Sequence, residues 1–284
     1  MPELPEVETI RRGLQTAILN KKITDLQVKK HKLVKNKSSY FVDILKNSSI
    51  VDIDRVGKLL IFSLADKEHF LLVHLKMTGQ LIYQSGGDIV AGGHNLGFEE
   101  GLPNKYSHII FYFQDGSNLF FNDMRQFGYM ELVKDKDKVI KRFGIEPGKN
   151  DFTLAAFKKI FKNRKITLKQ ILLNQQLVSG IGNIYADEIC FRAQVLPSRP
   201  ADKLNDDDIK RLFTATKYII KKAVEKRGTT FSDYRDTSGK EGNFVKYLKV
   251  YGRAGKKCLR CGLENIKKVK LGGRGTHFCP HCQK

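Results

Sequence analysis

Six residues at the start of the chain, Met1-Pro2-Glu3-Leu4-Pro5-Glu6, place two prolines and two carboxylates beside the N-terminus. If Met1 is removed, Pro2 becomes a terminal secondary amine. An α-amine titrates at about 7.7–8.0, so a useful fraction is unprotonated near neutral pH. Such an amine can attack an electrophilic carbon and form an iminium, and Glu3 beside it can move protons. The same residues also read as an ordinary helix start. Pro5 suits a first turn, where its missing N–H has no partner to lose. Glu6 and Glu8 fall where the helix dipole favours negative charge. Val7, Ile10, Leu14 and Ile18 follow with helical spacing.

Metal chemistry is written at the other end. Of five cysteines, four lie in the last 27 residues, as Cys258-Leu259-Arg260-Cys261 and Cys279-Pro280-His281-Cys282 with 17 residues between the pairs. That spacing fits a two-pair zinc template rather than a disulfide framework. Four thiolates around one tetrahedral ion leave no open position, so the zinc is structural. His277 and His281 are alternative ligands. Cys190, among apolar residues, reads as a small buried hydrophobe. Lys256, Lys257, Lys267, Lys268, Lys270 and Arg274 surround the cysteines and suit an anionic polymer.

Two shorter stretches carry weaker signals. Gly180-Ile181-Gly182-Asn183 leads into a helix. Its backbone N–H groups could face a phosphate, or it could be a tight interhelical turn. In Asp123-Met124-Arg125-Gln126-Phe127-Gly128, an Arg and a Phe two residues apart could lie on one side of a loop. The Phe could wedge between bases and the Arg could bond a base edge. The alternative is a core Phe beside a surface Arg.

Elements must hold these groups. The 284 residues carry 51 Lys and Arg against 30 Asp and Glu, a net charge of +21, with 41% hydrophobic residues. Such a balance favours nucleic acid as partner. No apolar run is long enough to span a bilayer, and there is no signal peptide, so a soluble intracellular protein is expected. Residues 23–133 read as short strands, among them Tyr40–Ile44, Lys58–Phe62, Phe70–Leu75 and Ile109–Phe113. The last is joined to Leu119–Phe121 by Gln114-Asp115-Gly116-Ser117, a hairpin signal. The whole suggests a β-sandwich. Residues 85–104 are glycine-rich and read as an exposed loop. A linker with a turn at Glu146-Pro147-Gly148 follows. Then come helices capped by Asp151 or Thr153, by Thr167, by Asn183, and by Asn205 or Asp206, the last ended by Gly228. Residues 229–243 are polar and read as a mobile loop. The expected domains are residues 1–135, 150–235 and 244–284.

Pro2-Glu3-Leu4-Pro5-Glu6-Val7-Glu8, Gly180 to Glu188 and Gly273 to Cys282 together resemble the bacterial formamidopyrimidine-DNA glycosylases, in order and over nearly the whole chain. The resemblance implies an α+β protein: a β-sandwich with a leading helix, a helix–two-turns–helix domain and a zinc finger. It implies a base-excision DNA glycosylase and AP lyase that removes oxidised purines from double-stranded DNA. It further implies Pro2 as Schiff-base nucleophile, Glu3 as acid and base, Glu6 as a second carboxylate, and Lys58 as the β-elimination lysine. Arg274 matches a phosphate-binding arginine linked to δ-elimination. Met77, Arg125 and Phe127 match residues that fill the gap left by the flipped nucleotide, and Lys165 and Asn183 match backbone contacts. The loop 229–243 would cover the extruded base. A monomer in the cytoplasm, at the nucleoid, is expected.

The sequence departs from the family at Lys105-Tyr106-Ser107-His108, where Tyr106 replaces a histidine linked to DNA contact. A retained Met1 would turn the Pro2 nitrogen into an amide. Two other readings stand beside the first. One is a sister enzyme resembling endonuclease VIII, with oxidised pyrimidines as substrates; Leu4 argues for the purine type. The other is a non-catalytic zinc-finger protein that binds damaged or bent DNA.

Overall fold

The computed structural model describes residues 1–86, 88–92, 101–229 and 243–284, with 88–92 described through the backbone. The chain forms two compact units: Met1–Ile140 with Lys226–Val245, and Lys141–Glu225 with Lys246–Lys284.

The first unit opens with helix α1 (Leu4–Ile18), strand β1 (Ile23–Val28) and helix α2 (Ser38–Leu45). Strands β2 (Ile50–Val56), β3 (Leu59–Leu64), β4 (Phe70–His74), β5 (Gly79–Ser85) and β6 (Asp88–Gly92) follow. Then come β7 (Ser107–Phe113), β8 (Asn118–Asp123), β9 (Tyr129–Val133) and a short helix α3 (Lys136–Ile140). Two antiparallel sheets result, ordered β1-β7-β8-β5-β6 and β2-β3-β4-β9. Leu81, Phe111 and Phe121 of one share a buried core with Leu60, Phe62, Val73 and Met130 of the other. Val7, Ile10, Leu14 and Ile18 of α1 enter that core as their spacing predicts. The Asp115-Gly116 hairpin is present, with Gly116 at φ +80°.

Two sequence expectations for this unit are corrected. Residues 40–44 are not a strand; they lie in α2, where Phe41 and Leu45 are fully buried. Their i, i+4 spacing serves a helix, and the run is too short for period alone to distinguish the two. The stretch 85–104 is not all loop, since β6 pairs with β5 from Leu81↔Gly92 to Ser85↔Asp88. The mobile-loop expectation for 229–243 lies, from 230 to 242, outside the described residues. Its two feet meet in a bridge, Thr229↔Asn243.

The second unit holds helices α4 (Leu154–Phe161), α5 (Leu168–Leu173), α6 (Asn183–Ala193) and α7 (Asp206–Glu225). It ends in a hairpin of β10 (Lys267–Leu271) and β11 (Arg274–Phe278). Thr153 caps α4, accepting from the Ala156 N–H at 3.1 Å, and Thr167 caps α5 in a capping box with Gln170. Asn205 and Asp208 exchange side-chain and backbone bonds at the start of α7. Asn183 is not the cap of α6. Gly182 holds that position, which leaves the Asn183 amide free to bond elsewhere. Among the described residues no helix is long and apolar enough to cross a membrane.

Candidate active site

The start of α1 is fixed by its own carboxylates. Glu3 accepts from the backbone of Glu6, and the Glu3 N–H donates to Glu6 Oε2 at 2.9 Å. Pro2 and Glu3 are thereby buried, at the position the sequence predicts for the amine and its proton carrier. The other Glu6 oxygen, Oε1, accepts from the Thr229 N–H at 2.6 Å and its hydroxyl at 3.1 Å. Gly228 packs so closely that an added Cβ would lie 2.5 Å from Glu6 Oε1, and its φ is +83°. Glu6 therefore clasps the foot of the polar segment that begins at Thr229. The Met1 amine is partly desolvated, which lowers its pKa. Glu3 and Glu6 pull it up, Lys58 and Arg125 push it down. The N-terminus thus lies in the joint field of four predicted site residues.

Lys58 is buried at 6% exposure in a two-residue turn between β2 and β3, whose first residue, Gly57, has φ +57°. Arg55 donates from Nη1 to the Gly57 carbonyl at 3.1 Å and from Nε to Glu8 Oε2 at 3.0 Å. Glu8 also accepts from Arg11 at 2.9 and 3.0 Å and from Arg12 at 2.7 Å. Burial alone would raise Glu8, but these arginines outweigh it and hold the carboxyl at about 2. One ionised carboxylate on α1 thus ties the helix to the Lys58 turn.

Asp123 shapes the loop after β8. Its carboxylate accepts from the Thr78 hydroxyl, from the Arg125 N–H at 3.1 Å and from the Gly128 N–H at 2.7 Å. Thr78 in turn accepts from Arg125 N–H at 3.0 Å. Met77, Arg125 and Phe127 are so carried on two loops joined at Asp123. Phe127 is 55% exposed, not core, with the Arg125 guanidinium 4.9 Å from its ring centroid. Gln126 at φ +54° turns the chain between them. Tyr106 is half-buried. Its carbonyl accepts from the Asp123 N–H at 3.1 Å, and Lys105 lies over its ring at 5.3 Å. The following His108 is buried against the Asp123 carbonyl at 2.8 Å.

His74 was missed by the sequence reading. Burial, with Lys76 and Lys58, pushes it down to about 3, so it is neutral at physiological pH. Its Nδ1 accepts from the Lys76 N–H at 3.0 Å, which leaves Nε2 as an uncharged donor. Only its position at the end of an apolar strand, three residues before Met77, signals it in the sequence.

In the second unit a buried ion pair positions the finger hairpin. Lys169 Nζ donates to Asp187 Oδ1 at 2.6 Å, to the Gly275 carbonyl at 3.0 Å and to Thr276 Oγ1 at 2.9 Å. Asp187 Oδ2 accepts from the His277 N–H at 2.8 Å. Asn183 Nδ2 reaches the same Gly275 carbonyl at 3.0 Å. Gly272 and Gly273, at φ +53° and +76°, form the hairpin turn, and exposed Arg274 follows directly. Lys165 is exposed between α4 and α5. Next along α6, Glu188 accepts backbone N–H bonds from Lys249, Val250 and Tyr251 at 2.9–3.0 Å. Burial still pushes its pKa up. Lys169, Asp187 and Glu188 were not read as site residues, because charges inside helices normally face water.

The four cysteine Sγ atoms of the finger all lie within 4.8 Å of one another, with Cys258 to Cys282 and Cys261 to Cys279 at 3.8 Å. Zinc–sulfur bonds of about 2.3 Å in a tetrahedron put sulfurs roughly 3.8 Å apart. The donor set therefore fits zinc. His277 is committed to Asp187 and is not a ligand. Cys190 is fully buried, and burial raises its thiol pKa far from reactivity.

In the first unit an exposed ring and guanidinium share one loop, and in the second the finger hairpin carries an exposed arginine at its turn. Comparison with known proteins sharpens this. Residues 1–130 match the formamidopyrimidine-DNA glycosylase N-terminal domain, 143–235 its H2TH domain, and 255–284 the zinc finger found in FPG and IleRS. The chain is 43% identical to the formamidopyrimidine-DNA glycosylase of Listeria innocua, covering all of both chains. It is 39% identical to that of Streptococcus pneumoniae, covering all of this chain and 99% of the other. A Lactococcus lactis Fpg in complex with DNA containing an abasic site superposes with a TM-score of 0.88 at 33% identity, over 99% of each chain. The chain belongs to the formamidopyrimidine-DNA glycosylase family, and its finger carries one structural zinc.

Proposed function

We propose that Pro2, freed of Met1, is the nucleophile of a base-excision glycosylase and AP lyase acting on oxidised purines in duplex DNA. Its nitrogen attacks the sugar C1′, the glycosidic bond breaks, and the base leaves with a proton; the amine then gives up its own proton and the C1′–O4′ bond opens, O4′ taking a proton, so that C1′ and nitrogen form an iminium. The resulting iminium is an electron sink, so loss of a C2′ proton expels the 3′ phosphate. Glu3 moves protons at this centre and Lys58 assists elimination. Glu6 holds the segment that would cover the extruded base. Met77, Arg125 and Phe127 occupy the gap in the stack. Lys165, Asn183 and Arg274 grip phosphates, and His74 adds an uncharged donor near Lys58. Tyr106 contributes a ring rather than an imidazole at its position.

The observation that carries this reading is Pro2 buried next to buried Glu3 at the start of α1, with Lys58 near enough to the N-terminus to act on its charge. Borohydride trapping on abasic duplex tests it. Protein lacking Met1 should be crosslinked through Pro2. Protein with an extra residue before Pro2 should bind duplex without trapping or excision. A sugar mapped to Lys58 in protein without Met1 would overturn the assignment. No trapping in either form would leave a non-catalytic DNA binder. One solved relative, the Lactococcus lactis enzyme, is a complex with oxidised-pyrimidine DNA. A substrate panel should therefore include oxidised pyrimidines, with faster excision of 8-oxoguanine expected.

A further inference from the structure

We propose that a cationic cavity at the C-terminal end of α6 docks an acidic segment of a partner protein, one that alternates carboxylates with large apolar side chains. The cavity has a volume of about 460 Å³ and is lined by Arg192, Lys210, Arg211, Thr214, Ala215 and Arg260.

Its three guanidinium groups are held in place. Arg211 donates from Nε to the Ala193 carbonyl at 3.0 Å and from Nη2 to Asp208 at 2.5 Å. Arg260 donates from Nη1 to the Phe191 carbonyl at 2.9 Å, with its guanidinium 4.1 Å from the Phe191 ring centroid. Arg192 stacks 3.4 Å from the Tyr218 ring centroid and makes no hydrogen bond among the described residues. Each guanidinium has five N–H donors, so most stay available for two-pronged bonds to a carboxylate. Side chains fixed in advance lose little freedom on binding.

A helix C-terminus attracts cations by itself, which accounts for Arg211 and Arg260 at the last carbonyls of α6. It also accounts for Arg192, in the last turn of α6, but not for Lys210, which comes from α7. The nearest acid to Lys210 is Asp207 at 3.5 Å, with both side chains exposed.

The cavity is also distinct from the proposed DNA grip. The eleven residues of α6 separate Asn183 at one end from Ala193 at the other, roughly 15 Å at about 1.5 Å per residue. One feature favours a peptide over a second stretch of nucleic acid. The zinc knuckle that supplies Arg260 also exposes Leu259 at 57% and Leu263 at 69%, apolar surface suited to side chains and not to phosphates.

The test uses zinc-loaded full-length protein with duplex carrying a tetrahydrofuran abasic analogue, which has no C1′ leaving group or aldehyde, already bound, so that the DNA-binding face is occupied. Fluorescence anisotropy follows a short labelled peptide alternating Asp with Leu and Phe. Arg192→Glu with Lys210→Glu should weaken binding at least about tenfold. A charge-removing pair elsewhere, Lys134→Ala with Lys141→Ala, should change it less than about twofold. Leu259→Ser should weaken the peptide while sparing oligo-aspartate. Zinc content and strand cleavage should be unchanged in all variants. Three results would overturn the proposal: no peptide binding by the parent protein, equal losses from both charge pairs, or displacement of the peptide by single-stranded oligothymidylate that is itself lost with the Arg192 and Lys210 reversal. The last would make the cavity a nucleic-acid site.

Discussion

The turn that carries Lys58 and the turn that carries Arg274 are fixed by the same device built in two ways. Each depends on an ion pair whose cation also donates to a backbone carbonyl next to the site residue. In the first unit Arg55 joins Glu8 to the Gly57 carbonyl. In the second Lys169 joins Asp187 to the Gly275 carbonyl. Glu8 sits at the edge of the core with side-chain exposure of 10%, and two further arginines share it. Asp187 and Lys169 are at 0% and 1%, and among the described residues no lysine or arginine other than Lys169 pairs with Asp187. The edge site has reserve partners. The buried one has no second lysine or arginine, only the His277 N–H, and a charge stranded there cannot recruit water. The same geometry should therefore tolerate damage in one unit and not in the other.

Removing the metal should separate the two turns most. The Arg274 hairpin depends on a zinc site in a small finger, where such ions contribute about 10 kcal/mol to folding, while the Lys58 turn stands on a large apolar core. Chelation should abolish tight DNA binding and leave the sandwich folded, as read by amide exchange in the two units. Simultaneous loss of protection in both would show that the turns are not independently held.

Lys169→Met comes next, with a cost of about 3–5 kcal/mol, since it leaves Asp187 buried and uncompensated. Pairing it with Asp187→Leu should recover much of that loss in thermal unfolding, because two apolar groups need no solvation. The recovered protein should still cleave abasic DNA poorly, since only the Asn183 amide then holds the Gly275 carbonyl. Full recovery of cleavage would mean that the zinc site alone positions Arg274.

Glu8→Gln should cost less, about 2 kcal/mol, as Arg55 keeps its bond to Gly57. Its pH dependence has a definite sign. The folded pKa of Glu8, about 2, lies below the ordinary value of 4.5. Its stabilisation is therefore full above about 4.5 and is lost as pH falls toward 2. Glu188 runs oppositely. Burial raises its pKa, so its ionised form weakens folding as pH climbs above the ordinary carboxylate range. Acid titration of unfolding in Glu8→Gln should be flatter than in the parent below pH 4.5. An unchanged slope would remove Glu8 from the comparison.

The smallest stability change is expected from Phe127→Ala, within about 0.5 kcal/mol, because the ring is 55% exposed. Its effect should be on function, slowing excision of 8-oxoguanine roughly tenfold and elimination at a preformed abasic site much less. Equal losses on both substrates would make Phe127 a packing residue.

The sequence by itself determined the elements that are local. The α1 helix from its prolines and apolar spacing, the Asp115-Gly116 hairpin, the Thr153 and Thr167 caps and the paired cysteines were all legible. Each depends on residues close in the chain, where spacing translates directly into geometry. Through resemblance to a family it also marked Pro2, Glu3, Lys58 and Arg274 as candidates. Residues 40–44 were misread because five apolar and polar residues satisfy a strand as well as the helix that buries Phe41 and Leu45. Only the tertiary structure decided what those motifs lean on. Glu8 meets Arg55 across 47 residues, Lys169 meets Gly275 across 106, and Glu6 meets Thr229 across 223. A buried charge is stable only where distant chain supplies its partner, and no local pattern records that partner.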